Sequence, residues 1–311
     1  MQVIRGVENI PGPFKEAVLT IGNFDGVHRG HQEIFHRVVE RARDMNGTAI
    51  VFTFEPHPLR VVRPGAGPPL ITLYEQKVEL VERYGIDVLI CAEFTMDFAR
   101  TSAREFIAGL LVERIGMKEI MVGYDWAFGR NREGDINFLL KMGQELGFQV
   151  CVLGPYAVGG TPVSSTRVRQ VVVGGDVAEA ARLLGRPYQV KGRVIRGRDR
   201  GGKLLGIPTA NLKLVDELWP KPGVYAVTVE HGGRTLPGVA NIGRNPTFGE
   251  NELSVETHIL DFSGDVYDQV IRLNFIARLR DEKRFEGPQA LAAQIAADIE
   301  QSRQILSRPR A

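Results

Sequence analysis

Two histidines in a glycine-rich segment are the first residues whose type and spacing could do chemistry. His28 and His31 stand three apart in the run GNFDGVHRGH, directly after an apolar, strand-like segment. The run's three glycines, Gly22, Gly26 and Gly30, would let the backbone approach a phosphate closely. Side chains three apart share one face of a helix, so both imidazoles could stabilise charge on a phosphoryl group during transfer. We therefore predict a phosphate-transfer site at the start of the first helix.

Two other interpretations of the histidine pair stay open. A surface helix could carry two histidines incidentally, and a zinc site could use both imidazoles. A zinc site would need further ligands, and no pattern of cysteines or carboxylates accompanies the pair. The glycine-rich turn directly after a strand favours the phosphate site.

A second candidate phosphate-binding run is SSTRVR, residues 164–169, just after a fifth strand-like segment. Serine and threonine often cap helices, so capping alone could explain the first three residues. Arg167 would then lie at a helix N-terminus, where a cation is unfavourable unless an anion joins it. A nucleotide phosphate would supply that anion, and we predict phosphate contacts from Arg167 and Arg169.

The elements that must position these residues alternate between strand and helix over the first 185 residues. The strand candidates are near-continuous apolar runs: Ala17–Ile21, Thr48–Phe54, Val88–Ala92, Ile120–Gly123 and Gln149–Leu153. Thr72 with Glu75 and Ser102 with Glu105 predict two helix starts by the capping-box pattern, and a third helix covers about 133–146. The alternation predicts a doubly wound, Rossmann-like parallel sheet, in which ligands bind beyond the carboxyl ends of the strands.

The pattern changes after a short helix, Asp176–Leu184, which Gly185 ends. Short strands separated by Gly- and Pro-rich turns then predict a small antiparallel β-barrel, and a helix over Pro288–Ile305 closes the chain. The predicted strands are Gln189–Ile195, Val224–Glu230, Gly238–Ile242, Ser254–Leu260 and Val270–Ala277. We place the domain boundary near Gly185, giving domains 1–185 and 186–311.

Composition and charge restrict the class of protein. Of the 311 residues, 43% are apolar and 24% charged, as in a soluble globular protein, and the net charge of +2 gives no strong attraction to nucleic acid or membrane. No secretory signal and no apolar run long enough to span a membrane is visible. Cys91 and Cys151 lie in apolar runs and are interpreted as core residues. We expect a cytoplasmic monomer or weak homo-oligomer.

Oxygen-bearing residues in the second half could hold a magnesium ion and a nucleotide. In the run GIPTAN, Thr209 and Asn211 are two apart, so in extended backbone they point to one side, and both are hard oxygen ligands suited to Mg²⁺. A turn in which the asparagine caps backbone groups is the alternative. The nearby run from Gly197 to Lys203 resembles a P-loop, but Leu204 replaces the required Ser or Thr and no helix pattern follows. A glycine-rich flap over a nucleotide is the remaining interpretation of that run.

Glu256 is the carboxylate that could act as a base in the second half. In the strand SVETHI its side chain lies on the face opposite Val255 and Thr257. A strand carboxylate that simply faces water is the alternative.

The N-terminal motifs resemble those of the nucleotidyltransferase superfamily. TFEPHP at 53–58 and VGYDWAFGR at 122–130 narrow the resemblance to the FMN adenylyltransferase module of the prokaryotic bifunctional riboflavin kinase/FAD synthetase family. The resemblance implies catalytic roles for His28, His31 and Arg167, and flavin binding by Phe54, Asp125 and Phe128. The residues implied to contact ATP or its phosphates are Gly22, Asn23, Phe24, Gly30, Ser164, Ser165, Thr166 and Arg169.

Residues 188–305 resemble the riboflavin kinase module of the same family, through GVANIGRNPTFG, VETHILDF and the later strand segments. The resemblance implies that Glu256 is the general base for the ribityl hydroxyl, that Thr209 and Asn211 hold magnesium and nucleotide, and that Lys203 contacts phosphate. Arg272 is the implied flavin contact. Lys203 stands where the family commonly has arginine, and Ile207 where it has phenylalanine.

Together these resemblances imply that riboflavin is phosphorylated by ATP to FMN, and that FMN and a second ATP give FAD and pyrophosphate, with Mg²⁺ as cofactor. Three alternatives compete with this interpretation: a riboflavin kinase whose first domain is only a scaffold, a flavin-binding or carrier protein without turnover, and an RNA-binding protein. The histidine pair and the SSTR motif argue against the first, because a scaffold needs neither. The histidine pair and Glu256 argue against the second, and the small net charge argues against the third.

Overall fold

The computed structural model describes residues 1–195, 208–214, 218–244 and 253–308. The chain divides into two compact units, Met1–Ser165 and Thr166–Ala311. Within these described ranges, no helix is both long and apolar enough to cross a membrane.

The first unit is built on a six-stranded parallel sheet, which confirms the predicted fold class. Its strands are β1 (Gln2–Arg5), β2 (Ala17–Ile21), β3 (Ala49–Glu55), β4 (Val88–Glu93), β5 (Met117–Gly123) and β6 (Gln149–Leu153). They lie in the order β1-β4-β3-β2-β5-β6. A two-stranded hairpin, β7 (Ala157–Val158) with β8 (Thr161–Pro162), follows. Strand β1 was not predicted, because Ile4 is its one buried residue and no apolar run marks it.

Helices cover both faces of this sheet. They are α1 (Arg29–Asp44), α2 (Pro58–Val62), α3 (Tyr74–Arg83), α4 (Ala103–Glu105, continued in a wider π-helical form over Phe106–Arg114) and α5 (Ile136–Leu146). On one face, Phe35 of α1 and Val81 of α3 pack into one core cluster. On the other, Leu111 and Leu139 pack into a second cluster. Burial on both faces explains why the strands read as continuous apolar runs.

Two of the three predicted helix starts need correction, and the start at Ser102 is confirmed. The helix predicted to open at Thr72 opens at Tyr74, with Leu73 in the N-cap position and no side-chain cap. The helix predicted over about 133–146 begins at Ile136, because Asp135 is in extended backbone (φ −124°) and caps the helix by accepting a hydrogen bond from the Phe138 amide at 2.8 Å. Ser102 does cap α4, because its Oγ accepts a hydrogen bond from the Glu105 amide at 3.2 Å.

The second unit contains two short helices and a closed barrel. The helices are α6 (Ser165–Gly174), whose first residue belongs to the first unit, and α7 (Val177–Leu184). The strands are β9 (Tyr188–Ile195), β10 (Ala210–Leu214), β11 (Gly223–His231), β12 (Arg234–Arg244), β13 (Leu253–Ile259) and β14 (Val270–Arg280). They close in the order β10-β13-β12-β11-β14-β9, with antiparallel neighbours throughout. The antiparallel barrel was predicted, although β10 was read only as an extended segment.

The terminal helix α8 (Pro288–Leu306) packs on β11, β12 and β14, one residue longer than predicted. Asp298, 3% exposed at its side chain, accepts hydrogen bonds from the Arg280 guanidinium of β14 at 2.7–3.1 Å. The Ser302 hydroxyl donates to the Gly238 carbonyl of β12 at 3.0 Å. These two polar contacts fix the helix on the barrel.

Candidate active sites

The strand order of the first unit defines where a ligand would bind. The chain passes from β2 through α1 to β3 on one side of β2, and after β4 it returns to β5 on the other side. In open α/β sheets the crevice for ligands lies at such a reversal, beyond the carboxyl ends of the strands. The glycine-rich turn follows β2, and the segment containing Asp125 and Phe128 follows β5. Both predicted site segments therefore lie at the same edge of the sheet.

The two histidine rings lie together at the start of α1. They stack with their centroids 3.5 Å apart and their planes 19° apart. The predicted geometry was wrong in one respect, since His28 precedes the helix in extended backbone and acts as its N-cap. Its Nδ1 accepts a hydrogen bond from the His31 amide at 3.3 Å. A side chain at Gly30 would begin 3.3 Å from the His28 ring, so glycine gives the stacked pair its room.

The turn before the histidines has an unusual backbone. Phe24 (φ 46°), Gly26 (φ 86°) and Val27 (φ 40°) adopt left-handed conformations. The Phe24 side chain is 3% exposed and packs edge-on against the rings of His31 and Phe35. Phe24 is among the predicted phosphate-binding residues. With its side chain buried, only its backbone could contact a phosphate. The first backbone amides of a helix have no partner within the helix, so those at the start of α1 favour an anion.

The SSTRVR run is divided between the two units. In the first unit, Ser164 is exposed, and the Ser165 hydroxyl donates to the Asp25 carbonyl at 2.9 Å. In the second, Arg167 lies in the first turn of α6, as predicted, with Nη2 3.5 Å from a carboxylate oxygen of Glu179. Glu179 therefore already supplies an anion to Arg167, and the phosphate contact of Arg167 stays a prediction. Thr166 is exposed and Arg169 half-buried.

Aromatic rings cluster beyond the ends of β3, β4 and β5. Phe54 is half-buried, with its ring centroid 5.5 Å from that of Phe94 and 6.0 Å from that of Phe98. Phe128 is 7% exposed and stacks on Trp126 with 4.2 Å between centroids. Asp125, in contrast, is exposed to solvent. The cluster can offer flat apolar contacts to a ring system.

Three residues of this aromatic cluster were missed from the sequence: Phe94, Phe98 and Trp126. The signal for the first two is their position after an apolar strand, since Phe94 follows β4 directly and Phe98 comes four residues later. Trp126 lay within the resembling segment, and its half-exposed indole makes it the more accessible partner of the stacked pair.

A cavity of about 280 Å³ in the first unit lies apart from the predicted residues. It is lined by Arg5, Gly6, Glu8, Glu55, Tyr74, Cys91 and Glu93. Burial raises the pKa of the Cys91 thiol, which makes it a poor nucleophile and agrees with its interpretation as a core residue. Burial likewise raises the pKa of Glu55, against the opposing effect of the nearby Lys77 ammonium.

Strand pairing in the second unit brings three polar side chains side by side. Glu256 of β13 lies directly opposite Asn211 of β10 and, on its other side, opposite Asn241 of β12. Directly paired residues project from the same face of a sheet. The neighbouring Val255 and Thr257 are fully buried on the other face, as predicted. Asn241 was not among the predicted site residues, although the pairing of two consecutive strands could have pointed to it.

The amide of Asn211 is the strongest indication of a ligand here. Asn211 is 6% exposed, and its Oδ1 has no hydrogen-bond partner among the described residues. A buried carbonyl oxygen without a partner is costly, so a ligand that coordinates it would relieve the cost. Thr209 lies two residues earlier and is half-buried. Hydroxyl and amide oxygens fit Mg²⁺, which typically takes its remaining ligands from phosphates and water.

Arg272 is not brought beside Glu256. Arg272 lies on β14, opposite Glu230 of β11. The residue of β11 that pairs with Asn241, beside Glu256, is Val224, six residues away from Glu230. Six residues of strand span about 20 Å. Lys203, Ile207, the rejected P-loop run and the proposed flap lie outside the described residues. Among those described, no cluster of three or more His, Cys, Asp or Glu side chains is placed to hold a metal.

Comparison with known proteins assigns both halves of the chain. A family model described as FAD synthetase matches residues 11–167, and one described as riboflavin kinase matches residues 184–306. A crystal structure described as a macrolide-efflux protein from Streptococcus pneumoniae has a TM-score of 0.88 and 31% identity, covering 97% of this chain and 99% of that one. The efflux description belongs to that protein.

Three similar curated proteins carry one and the same description, bifunctional riboflavin kinase/FMN adenylyltransferase. The protein of Escherichia coli K12 is 40% identical over 300 residues, 96% of each chain. Those of Pseudomonas fluorescens and Haemophilus influenzae are 40% and 35% identical, with at least 96% of each chain covered. With both of its halves matched and nearly its whole length aligned, the chain belongs to the bifunctional riboflavin kinase/FMN adenylyltransferase family.

Proposed function

We propose that the second unit phosphorylates riboflavin to FMN and that the first unit adenylylates FMN to FAD, each with ATP. The observation that carries this proposal is that each unit holds its own set of groups suited to one reaction. The barrel presents Glu256 between two asparagine amides. The parallel sheet presents a stacked histidine pair at a helix N-terminus, beyond the end of β2.

For the kinase, Glu256 is the general base. Its carboxylate takes the proton of the terminal ribityl hydroxyl as that oxygen attacks the γ-phosphorus of ATP, and ADP leaves. Thr209 and Asn211 hold Mg²⁺, which when bound neutralises charge on the ATP phosphates. Asn211, buried and fixed in β10 directly opposite Glu256, sets the distance between the nucleotide and the base.

For the adenylyltransferase, no base is needed, because the FMN phosphate is already an anion. One of its oxygens attacks the α-phosphorus of ATP, and pyrophosphate leaves. His28, His31 and the amides of the first turn of α1 stabilise the charge that builds on the transferred group. Arg167 adds positive charge, as the family resemblance implies. The aromatic cluster around Phe54 and Phe128 contacts the flavin ring.

The broader assignment follows from these sites. We place the adenylyltransferase domain at 1–185 and the kinase domain at 186–311, which the start of the riboflavin kinase match at 184 supports. The enzyme acts in the cytoplasm, where ATP is available, as a monomer or weak homo-oligomer. Its partners are riboflavin, FMN and ATP, and a net charge of +2 favours neither nucleic acid nor membrane.

A product assay tests the two sites. Purified protein is incubated with riboflavin, ATP and Mg²⁺, and the flavins are separated by chromatography. We expect FMN and then FAD from the wild type, FMN alone from the His28→Ala/His31→Ala variant, and neither from Glu256→Ala, whose rate should fall on the order of 10²- to 10⁴-fold. The Glu256→Ala chain should still convert added FMN to FAD.

Two matched controls accompany these variants. His36→Ala removes an exposed histidine from α1, and Glu230→Gln removes a half-buried carboxylate from β11. Both controls should keep both activities. A wild type that stops at FMN would leave only the kinase, and one that binds riboflavin without converting it would leave only a flavin-binding protein.

A further inference from the structure

The turn that presents the histidines cannot hold its conformation by local preference. Phe24 and Val27 have positive φ angles of 46° and 40°, which residues other than glycine rarely adopt. Such backbone persists only where surrounding groups fix it, and it concentrates at functional sites. The groups that fix this turn therefore set where the histidines stand.

Two buried side chains fix it. Asp25, within the turn, is 3% exposed, and its carboxylate accepts hydrogen bonds from the backbone amides of Ile71 (3.0 and 3.1 Å) and Thr72 (3.1 Å). Thr72 is 2% exposed, and its Oγ1 accepts a hydrogen bond from the Gly26 amide at 3.1 Å. The same hydroxyl donates to Asp25 Oδ1 at 3.4 Å. Carboxylate, hydroxyl and amide thus close a small ring that joins the turn to the segment before α3.

The ring lies close to the histidines in the chain. His28 is three residues after Asp25, and Val27 between them accepts a hydrogen bond from the Gln32 amide side chain at 2.7 Å. The Asp25 carbonyl also accepts the bond from the Ser165 hydroxyl. A shift of the Asp25 backbone would therefore move both the stacked imidazoles and the serine contact. Misplacement of reacting groups by about 1 Å costs on the order of 100-fold in rate.

We infer that Asp25 and Thr72 are positioning residues for adenylyl transfer, which clamp the glycine-rich turn so that His28 and His31 face the transferred group. This rests on the proposed role of the first unit as the FMN adenylyltransferase. The sequence predicts Thr72 as a helix cap, but in the structure Leu73 is in the N-cap position and no side chain caps the helix. The Thr72 hydroxyl must accept from Gly26 and donate to Asp25, which serine can do and valine cannot.

The test compares Thr72→Val with Thr72→Ser. Thr20→Val is the matched control, because Thr20 is also fully buried in this unit and its hydroxyl has no partner among the described residues. We expect Thr72→Val to lower kcat for FAD formation 10- to 100-fold, with KM for FMN within twofold of wild type. Thr72→Ser should recover kcat to within about threefold, and Thr20→Val should leave it unchanged. Riboflavin phosphorylation by the same molecules reports the second unit, and thermal unfolding of each variant reports the first.

Three results would overturn the inference. Thr72→Val could keep wild-type kcat, so that the clamp would be unnecessary. Thr72→Ser could lose as much kcat as Thr72→Val does, which would indicate a packing role. The same conclusion would follow if Thr72→Val lowered kcat, raised KM and lowered thermal stability together. A wild type that forms FMN but no FAD would instead reject the adenylyltransferase assignment itself, so the two failures are distinguishable.

Discussion

Glu55, the last residue of β3, shows how burial governs a single charge. Burial raises the pKa of its carboxyl above the ordinary 4.5, and Lys77 offsets this in part. The folded state therefore binds a proton more tightly than the unfolded state does. Stability falls as pH rises from the unfolded pKa through the folded one, and the loss persists at neutral pH.

Replacing this carboxylate should stabilise the first unit at neutral pH. We expect Glu55→Gln to have a higher melting temperature than wild type at pH 7, because the amide carries no charge to bury. The difference should shrink as the pH falls below 4.5, where the wild-type carboxyl is protonated in both states. Calorimetry at several pH values measures this. Glu93→Gln, an exposed carboxylate of the same cavity, is the control, and an equal gain from it would contradict the burial argument.

Single residues show where the sequence sufficed. The alternation around Glu256 predicted its face correctly, because strand periodicity is local. The burial of Phe24 and the distance of Arg272 from Glu256 depend on packing and strand pairing between segments far apart in the chain. Thr72 followed by Glu75 is a common helix start, but the buried Asp25 carboxylate and the Gly26 amide compete for the hydroxyl and outweigh the cap.

Among the elements, α8 depends on one buried ion pair. Asp298 is 3% exposed, and it accepts from both Arg280 and the Gln294 side chain. Removal of the cation alone would leave a buried carboxylate uncompensated, which costs about 3–5 kcal/mol. Replacing both partners with apolar residues of similar size is often neutral.

We therefore expect Arg280→Met to destabilise the second unit by about 3–5 kcal/mol, and Arg280→Met/Asp298→Leu to recover most of that loss. The two tryptophans make the measurement specific, since Trp126 lies in the first unit and Trp219 in the second. In a Trp126→Phe background, urea unfolding followed by fluorescence reports the second unit alone. Equal stability of the single variant and the wild type would mean that the pair contributes nothing to docking α8.

Elements with long apolar runs or clear caps were predicted nearly to the residue. Asp176 caps α7 by accepting from the Glu179 amide at 2.9 Å, and Gly185 ends the helix with φ 70°. Strands β1 and β10 were not predicted. β1 pairs along one side only, with β4, and so buries little, and β10 is recognised by its pairing with β9 and β13 rather than by its composition. Pairing between distant segments is the information that local patterns lack.

At the scale of the whole molecule, each unit carries one complete set of candidate catalytic side chains apart from Arg167. Two chains with different defects should therefore complement each other in solution. A His28→Ala/His31→Ala chain should stop at FMN, and a Glu256→Ala chain should make neither flavin from riboflavin.

Mixed in equal amounts, the two chains should convert riboflavin to FAD after a lag, because FMN must leave one chain and accumulate before the other binds it. Chromatography of timed samples measures the lag, which a doubling of both proteins should shorten. The mixture could make no FAD although the Glu256→Ala chain still converts added FMN. In that case FMN does not leave the kinase site, and the wild type must pass FMN from one site to the other within one molecule.

The bond from the His31 amide to His28 Nδ1 also determines the tautomer of His28. A nitrogen that accepts a hydrogen bond carries a lone pair, so the N–H of the His28 ring is on Nε2 while Nδ1 caps α1. One ring therefore serves both the helix and the site: Nδ1 of His28 caps the start of α1, and Nε2–H is the donor that a phosphate would meet.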